Sequence, residues 1–401
     1  MRRPDHTGGT PTEPPRPHPG RAGRRSSLGL LGLLMVLVCL AAGGCGYGSR
    51  APDVAAVPEF VGSGPPLSTE SVSVGYFANI THATALAGVQ EGFFTEELGG
   101  TRLRTQVFNG GPAALEALNA GAVDIAWMGP SPAVNGYLRS HGRALRIVSG
   151  AASGGVALVV DPDAGAGRGT DIRGLRIATP EAGNTQDVAL LHWIREQGWE
   201  VDPRTGRGDV TVVRQSVKEI PTSFRRGAID GAWVPEPVAA LLVAQGGRVV
   251  VDEADLWERG AYVTALVVVS PSFLADHPDV VEAVLRGSAR TNAWLAEDPR
   301  AGKASVNRAI DALTGRPIDE DVLDAAWERV RLGDDPLAAT LAEQADRAED
   351  LDLLGPEGRS TGPSAEDLRG AFDLRALNRV RAGLGEPPVS DAGLGVPAEG
   401  D

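Results

Sequence analysis

The chain has 401 residues, of which 42% are hydrophobic and 5% aromatic, and a formal net charge of −14. That length and apolar content support two or three domains with a real core. Six Arg and two acids, Asp5 and Glu13, lie in residues 1–44, so the remainder carries −18. An acidic exterior of that size argues against nucleic acid and against broad attraction to anionic head groups. It leaves a small anionic ligand open, because local backbone dipoles decide that question.

Residues 1–20 are rich in Pro and Gly and are expected to be unstructured. Arg21, Arg24 and Arg25 precede an apolar run over residues 28–40, followed by Ala41-Ala-Gly-Gly-Cys45. The run is short for a membrane span of about 20 residues. Small residues directly before a Cys suit a lipoprotein signal peptidase, which accepts little bulk beside the scissile bond. Residues 1–44 are therefore expected to be a signal peptide, with Cys45 lipidated and the protein held at the outer face of the cytoplasmic membrane. A plain secretory signal with an incidental thiol is the alternative, and Arg24-Arg25 leaves Sec or twin-arginine export open. Cys39 and Cys45 both lie in this segment, so the mature chain has no intrachain disulfide. Residues 45–70, punctuated by Pro52, Pro58, Pro65 and Pro66, read as a flexible tether.

The body opens with an alternating strand over 72–77. A helix is expected over 83–97, closed by Gly99-Gly100, and then a strand over 103–108. Asn109-Gly-Gly-Pro112 starts a helix over 113–119, with Pro112 suited to its first turn. Strands over 123–127 and 145–152 flank a helix over 131–139, and 156–160 reads as a crossover strand. The scheme then recurs: strand 175–178, helix 184–196, strand 210–213, helix 219–226, strand 229–233, helix 237–245 and strand 249–251. Residues 262–269 read as the returning crossover. Helices follow over 278–297, 302–313 and 319–330, with amphipathic patches at 337–348 and 374–382 expected to wrap the first lobe. Strands alternating with helices across short loops imply a parallel-type α/β architecture. The expected division is 71–158 for the first part of lobe one, 159–263 for lobe two and 264–390 for the return to lobe one. Residues 391–401 are expected to be a disordered tail.

The recurrence is visible in the residues. Gly121-Ala-Val-Asp-Ile-Ala-Trp127 returns as Gly227-Ala-Ile-Asp-Gly-Ala-Trp233, identical at five of seven positions. At nearly the same offset, Asn79-Ile-Thr-His82 is echoed by Asn184-Thr-Gln-Asp187. Two matches at one offset indicate two lobes on one plan, with like loops facing each other across a cleft. In open α/β sheets ligands sit beyond the carboxyl ends of strands, where helices begin. That singles out loops 77–82, 127–131, 181–186 and 233–237.

A helix start offers unpaired N–H groups and the positive end of the dipole, which suits a sulfonate, nitrate or carboxylate. Thr81, Ser131, Asn184 and Thr185 are placed either to cap those helices or to donate to a ligand. Gly110 and Gly111 would let backbone approach a guest closely. Trp127 and Trp233 end equivalent strands, either as core or as cleft walls, and Trp233 beside Pro235-Glu-Pro237 is the better cleft candidate. Glu236 is either the partner of a ligand ammonium or a hinge salt bridge. His82 and Ser153 are further candidates, each with a packed-helix or simple-turn alternative. There is no C-x-x-C, H-E-x-x-H, G-x-S-x-G or Walker A pattern, so neither a metal nor a cofactor is expected, and no catalytic set.

At these loops the chain resembles the substrate-binding proteins of nitrate/sulfonate/taurine-type ABC transporters, which share a fold with thiamine-pyrimidine precursor-binding proteins. The resemblance is carried by Gly75-Tyr-Phe-Ala-Asn-Ile-Thr-His-Ala83, by both heptapeptides with Val234-Pro-Glu-Pro237, and by Thr179-Pro-Glu-Ala-Gly-Asn-Thr-Gln-Asp187. Asp255-Leu-Trp257, Asp335-Pro336 and Phe372-Asp-Leu-Arg-Ala-Leu-Asn378 extend it to roughly residues 70–390. It implies an α/β, two-lobed type II periplasmic-binding-protein fold with two crossover strands and a central cleft. It also implies a monomer that captures a small anion, an aliphatic sulfonate or taurine first, and delivers it to a permease driven by a separate ATPase. Nitrate, bicarbonate or a thiamine-pyrimidine precursor is the alternative cargo. The alternative of another class is a pyrimidine-synthase-like enzyme, for which Lys218 and Lys303 are the available lysines and neither lies in a cleft loop. By position the resemblance assigns Asn79, Ser131, Asn184, Thr185, Gln186 and Trp233 to the cleft, and Glu236 to an amine. Ala78 stands where many relatives have Pro.

Overall fold

A computed structural model describes residues 58–164, 169–354 and 365–397. The expected signal segment, Cys45 and the first part of the tether lie outside the described residues. In chain order the strands are β1 (Glu59–Phe60), β2 (Ser71–Phe77), β3 (Arg102–Phe108), β4 (Ile125–Met128), β5 (Arg146–Gly154) and β6 (Val156–Val160). They continue as β7 (Arg176–Thr179), β8 (Thr211–Arg214), β9 (Gly231–Pro235), β10 (Arg248–Asp252), β11 (Val263–Val269) and β12 (Val330–Leu332).

These strands form two sheets, a seven-stranded one in the order β1-β3-β2-β4-β11-β5-β12 and a five-stranded one in the order β10-β6-β9-β7-β8. Each contains a parallel trio, β3-β2-β4 in the first and β9-β7-β8 in the second, and every other pairing is antiparallel. The chain crosses between sheets twice. Gly155 alone separates β5 of the first sheet from β6 of the second, and β11 returns to lie between β4 and β5.

The repeated heptapeptides occupy equivalent places. Ile125 and Ala126 pair with Val74 and Gly75, and Gly231 and Ala232 pair with Ile177 and Ala178. Each repeat begins at a glycine of positive φ, 69° at Gly121 and 64° at Gly227, a conformation that glycine adopts without steric cost. Each repeated Asp then clamps the neighbouring strand. Asp124 accepts from Ser73 N–H at 2.8 Å, and Asp230 accepts from Arg176 N–H at 2.8 Å, while each donates its own N–H back. Each repeat ends in a fully buried Trp.

That last fact corrects the assignment of Trp233 to the cleft. Its ring packs against Trp193, centroids 5.9 Å apart, and Nε1 donates to Glu253 Oε2 at 2.7 Å. The indole is a core residue whose polar atom has found a buried acceptor. Trp127 is likewise core, edge-on to Phe94.

Several elements depart from expectation for local reasons. The helix expected over 83–97 is two, Ala83–Gln90 and Phe93–Leu98, broken at Gly92 with φ 83°. Residues 319–330 form the helix Glu320–Trp327 and then turn into β12, which pairs with β5. Part of the expected tether is bound to the body: β1 pairs with β3, and Ser68 Oγ donates to Asp279 at the start of the helix Pro278–Glu297. In the expected tail, Gly395 forms a parallel bridge to Phe372. The helix Ala338–Asp350 touches helices of both halves, Pro130–Arg139 and Thr185–Glu196. It also satisfies the start of β11, with Val263 N–H donating to Thr340 Oγ1 and Gln344 donating to Val263 C=O.

Burial pushes the Glu253 carboxyl up to about 7, against a smaller opposing pull from Trp233. The folded state then holds a proton that the unfolded chain releases, so this group stabilises the fold at low pH and that contribution is lost as pH rises from about 4.5 to about 7. In urea melts across that range Glu253→Gln should match the parent near pH 4 and exceed it by about 2–3 kcal/mol at pH 7.5. An equal difference at both pH values would contradict this.

Candidate functional site

A narrow cleft with a cavity volume of about 40 Å³ opens at the carboxyl ends of the parallel strands of both sheets. From the first sheet it is lined by Phe77, Asn79, Thr81 and His82 after β2, Asn109 and Gly110 after β3, Gly129 after β4, and Thr264 on β11. From the second come Pro180, Asn184, Thr185 and Gln186 after β7, Val217 after β8 and Pro235 after β9. Corresponding loops of the two repeats therefore face one space, as the parallel order requires.

The structure brings together Asn79, Thr81, His82, Asn184, Thr185 and Gln186 of the expected residues. Ser131 lies just behind them, buried, with its N–H 3.4 Å from Thr185 Oγ1. Gly111 is one residue removed, in the first turn of the helix Gly111–Asn119 and against Pro132. Ser153 pairs within the sheet with Val263 and Arg331 and does not line the cleft. Glu236 is fully buried behind Pro235: Oε2 accepts from Ala240 N–H at 2.8 Å, and Arg329 Nε stands 3.7 Å from Oε1. The hinge alternative for Glu236 is the one its contacts support. Sequence reasoning missed Asn109, Gly129, Pro180, Val217 and Thr264. Thr264 had a signal, the one aliphatic hydroxyl in the apolar run 262–269.

The two Asn loops are built alike. Asn79 Oδ1 accepts from Thr81 N–H at 3.0 Å and from Thr81 Oγ1 at 2.6 Å. Asn184 Oδ1 accepts from Thr185 N–H at 2.7 Å and caps the helix Thr185–Glu196. The second loop is braced from beneath by Asp187. Its fully buried carboxylate accepts from Arg214 Nε at 2.9 and 3.1 Å, from Thr179 Oγ1 at 2.9 Å and from Gly183 N–H at 3.0 Å.

The rims meet where two glycines leave room. A Cβ on Gly129 would sit 2.7 Å from Thr185 Oγ1, and one on Gly110 would sit 2.7 Å from a Glu181 carboxylate oxygen. Side chains of the second half thus rest on bare backbone of the first.

No Asp, Glu, Lys or Arg is among the residues lining the cleft. His82 is the titratable group there, and burial pushes its pKa down to about 3, so it is neutral at physiological pH. Its ring stacks on Phe77 at 4.3 Å, and Nδ1 accepts from Phe77 N–H at 3.2 Å. That bond assigns the ring proton to Nε2, making the imidazole a neutral donor. Hydroxyls, side-chain amides and helix-start N–H groups complete a lining that can hold an anion without a cation. Burial also raises the Glu181 carboxyl at the mouth.

A profile described as the NMT1-like family matches residues 66–310. The taurine-binding periplasmic protein of Escherichia coli (strain K12) is 27% identical over 218 residues, 52% of this chain and 65% of that protein. The match thus spans a little under two thirds of that relative. Among solved structures, the periplasmic nitrate-binding protein NrtA from Synechocystis PCC 6803 superposes with a TM-score of 0.65 at 14% identity, over 80% of this chain and 90% of that one. The alkanesulfonate-binding protein SsuA from Xanthomonas axonopodis pv. citri, bound to MOPS, superposes with a TM-score of 0.59 at 19% identity, over 72% and 95%. At these identities the likeness shows the fold, which is the two-lobed α/β arrangement with exchanged strands and a central cleft that the loop motifs imply.

Removing Asp187 would leave Arg214 with buried donors and the Asn184 loop without its brace. Breaking one partner of a buried pair costs about 3–5 kcal/mol. Asp187→Ala should lower unfolding free energy in urea by that order, whereas a loss below about 1 kcal/mol would show that the loop is held by other contacts.

Proposed function

This chain belongs to the NMT1-like family, and from that premise we propose that it is the extracytoplasmic solute-binding component of an ABC importer. Its guest is a small anion, an aliphatic sulfonate or taurine first, held between the two rims and released unaltered to a membrane permease served by a separate ATPase. The observation that carries this reading is the cleft itself, neutral donors from both repeats converging on a space without a charged side chain.

The physical case follows from where the donors come from. A helix start carries roughly half a positive charge and orphan N–H groups, and the helix Thr185–Glu196 brings both to the cleft. Phe77, Pro180, Val217 and Pro235 give apolar wall for a short carbon chain. A binder rather than a catalyst is supported by the same lining. It offers no thiol and no acid–base pair, and His82 Nδ1 is already occupied by Phe77 N–H, which makes it a poor base.

Taurine adds an ammonium, and Glu236 is not in place to receive it. Glu181, whose carboxylate rests on Gly110 at the cleft mouth, is the better positioned acid. The expected lipid on Cys45 would keep a monomeric receptor beside its permease at the outer face of the membrane, and the crossovers at 156–160 and 262–269 would act as hinges between lobes bounded as the repeat divides them.

Calorimetry with ethanesulfonate, taurine and nitrate tests the reading. Heat and a raised melting temperature are expected with at least one of the three, and silence with all of them would remove the ligand class. Glu181→Gln should weaken taurine by about tenfold more than ethanesulfonate, one charge-assisted hydrogen bond being worth about 1.5–3 kcal/mol. Equal effects on both would take Glu181 out of the ammonium site. For the anchor, Cys45→Ala should move the protein from the membrane fraction to the soluble extract, and retention in membranes would count against lipidation.

A further inference from the structure

Behind the cleft, where β5 gives way to β6, three charged side chains from different sheets converge. Arg329 precedes β12, a strand of the seven-stranded sheet. Glu236 follows β9 and Asp252 ends β10, both in the five-stranded sheet. Arg329 Nε is 3.7 Å from Glu236 Oε1, and Arg329 Nη1 is 3.8 Å from Asp252 Oδ2. Both distances lie within ion-pair range and beyond hydrogen-bond range.

The backbone around them is the crossover itself. Gly154 and Gly155 both have φ of 72°, and both are covered by the segment that carries Arg329. A Cβ on Gly154 would sit 2.8 Å from Arg329 O, and one on Gly155 would sit 2.5 Å from Val330 Cγ2. Glu236 N–H donates to Gly155 C=O at 2.8 Å, and Thr264 Oγ1 donates to Gly154 C=O at 2.7 Å. Glu236 Oε1 is buried with no hydrogen-bond partner. Burial pushes the Glu236 carboxyl up to about 7, and the guanidinium of Arg329 is the nearby cation that opposes this and favours its charged form. The attraction therefore runs from one sheet to the other across the joint about which the lobes would turn.

We propose that Arg329 is a positioning residue for ligand retention: its ion pairs with Glu236 and Asp252 strap the two sheets together behind the cleft, in the arrangement where the rims meet. Its side chain meets Glu236 and Asp252 and its backbone packs on Gly154, none of which lines the cleft. Its effect is to favour the arrangement in which Thr185 rests on Gly129, and so to lengthen the stay of whatever is enclosed. The inference rests on the cleft being a solute site, but its structural half does not require a ligand. Arg329 and Asp252 are each about one third exposed, 35%, so solvent screening keeps the strap modest. That suits a joint that must also open.

The test uses the full chain with Arg329→Gln, Arg329→Lys, Glu236→Gln and the double variant Arg329→Gln/Glu236→Gln. Dissociation constants for ethanesulfonate and taurine are measured by calorimetry, and the radius of gyration of the ligand-free protein by small-angle scattering. Arg329→Gln is expected to weaken both probes by about three- to tenfold, to enlarge the ligand-free protein, and to lower the melting temperature by about 2–4 °C as Glu236 loses its cation. Arg329→Lys should recover most of the loss. Glu236→Gln should act in the same direction on both probes alike, and the double variant should fall short of the summed single effects. Unchanged affinity and unchanged dimensions in Arg329→Gln would overturn the strap, as would additivity in the double variant or failure of Lys to rescue. If the parent protein binds neither probe, the solute reading fails separately, and an unaltered radius of gyration then decides against the strap by itself.

Discussion

Each sheet in this protein is completed by a strand from the other half of the chain, and the rest of the structure follows from that exchange. β6 leaves the first half to pair with β9, and β11 leaves the second to lie between β4 and β5. Neither sheet can bury its central strands without the loan, so neither half is a free unit. The exchange also requires two crossings, and both pass behind the carboxyl ends of the parallel strands. Loops that would point away from each other in two separate domains are thereby made to face one space.

The duplicated heptapeptide is the clearest sign of this plan, and its chemistry is structural throughout. Its glycine ends a helix in a conformation other residues resist, its Asp ties strand to strand through backbone amides, and its Trp fills core. The identity between copies was a sound guide to architecture and a poor guide to Trp233. A residue repeated because each sheet needs the same clamp and the same filler is under packing demand, and packing hides it from ligand. The functional difference lies in the loops that follow, where the copies diverge: Met128-Gly-Pro130 after one Trp and Val234-Pro-Glu-Pro237 after the other.

Periodicity and punctuation made most of the central elements and the facing loops legible, and the six cleft residues shared by both readings all sit at helix starts marked by Asn or Thr. What stayed hidden depends on contacts remote in sequence. β12 is three residues after a helix, too short to show a period of two, and exists because β5 has an edge to be paired. Val217 and Pro180 carry no polar signal and become cleft wall through the placement of their strands. Glu236, between two prolines beside the cleft loop, has the sequence context of a ligand contact. Its neighbours in space, Arg329 and Gly155, come from segments that sequence does not bring near it.

The electrostatics of the site and of the hinge are divided in a way that suits one task. To hold the anion proposed above, a chain of net charge −14 must shield it from its own field, and a lining of neutral donors fixed by local hydrogen bonds does this without a counter-charge. Such donors are oriented before the guest arrives, Asn79 and Asn184 by their caps and His82 by Phe77 N–H, so little ordering remains to be done on binding. Charge is instead concentrated where the sheets join, in Arg329, Glu236 and Asp252. A cation inside the cleft would hold an anion firmly but would also be left desolvated and unpaired each time the guest departed, at a cost of several kcal/mol. Charges at the joint do not depend on the guest for a partner, because their partners are parts of the protein. The solute receptor proposed above must let go as well as hold, and neutral rims with a modest strap between the sheets permit both.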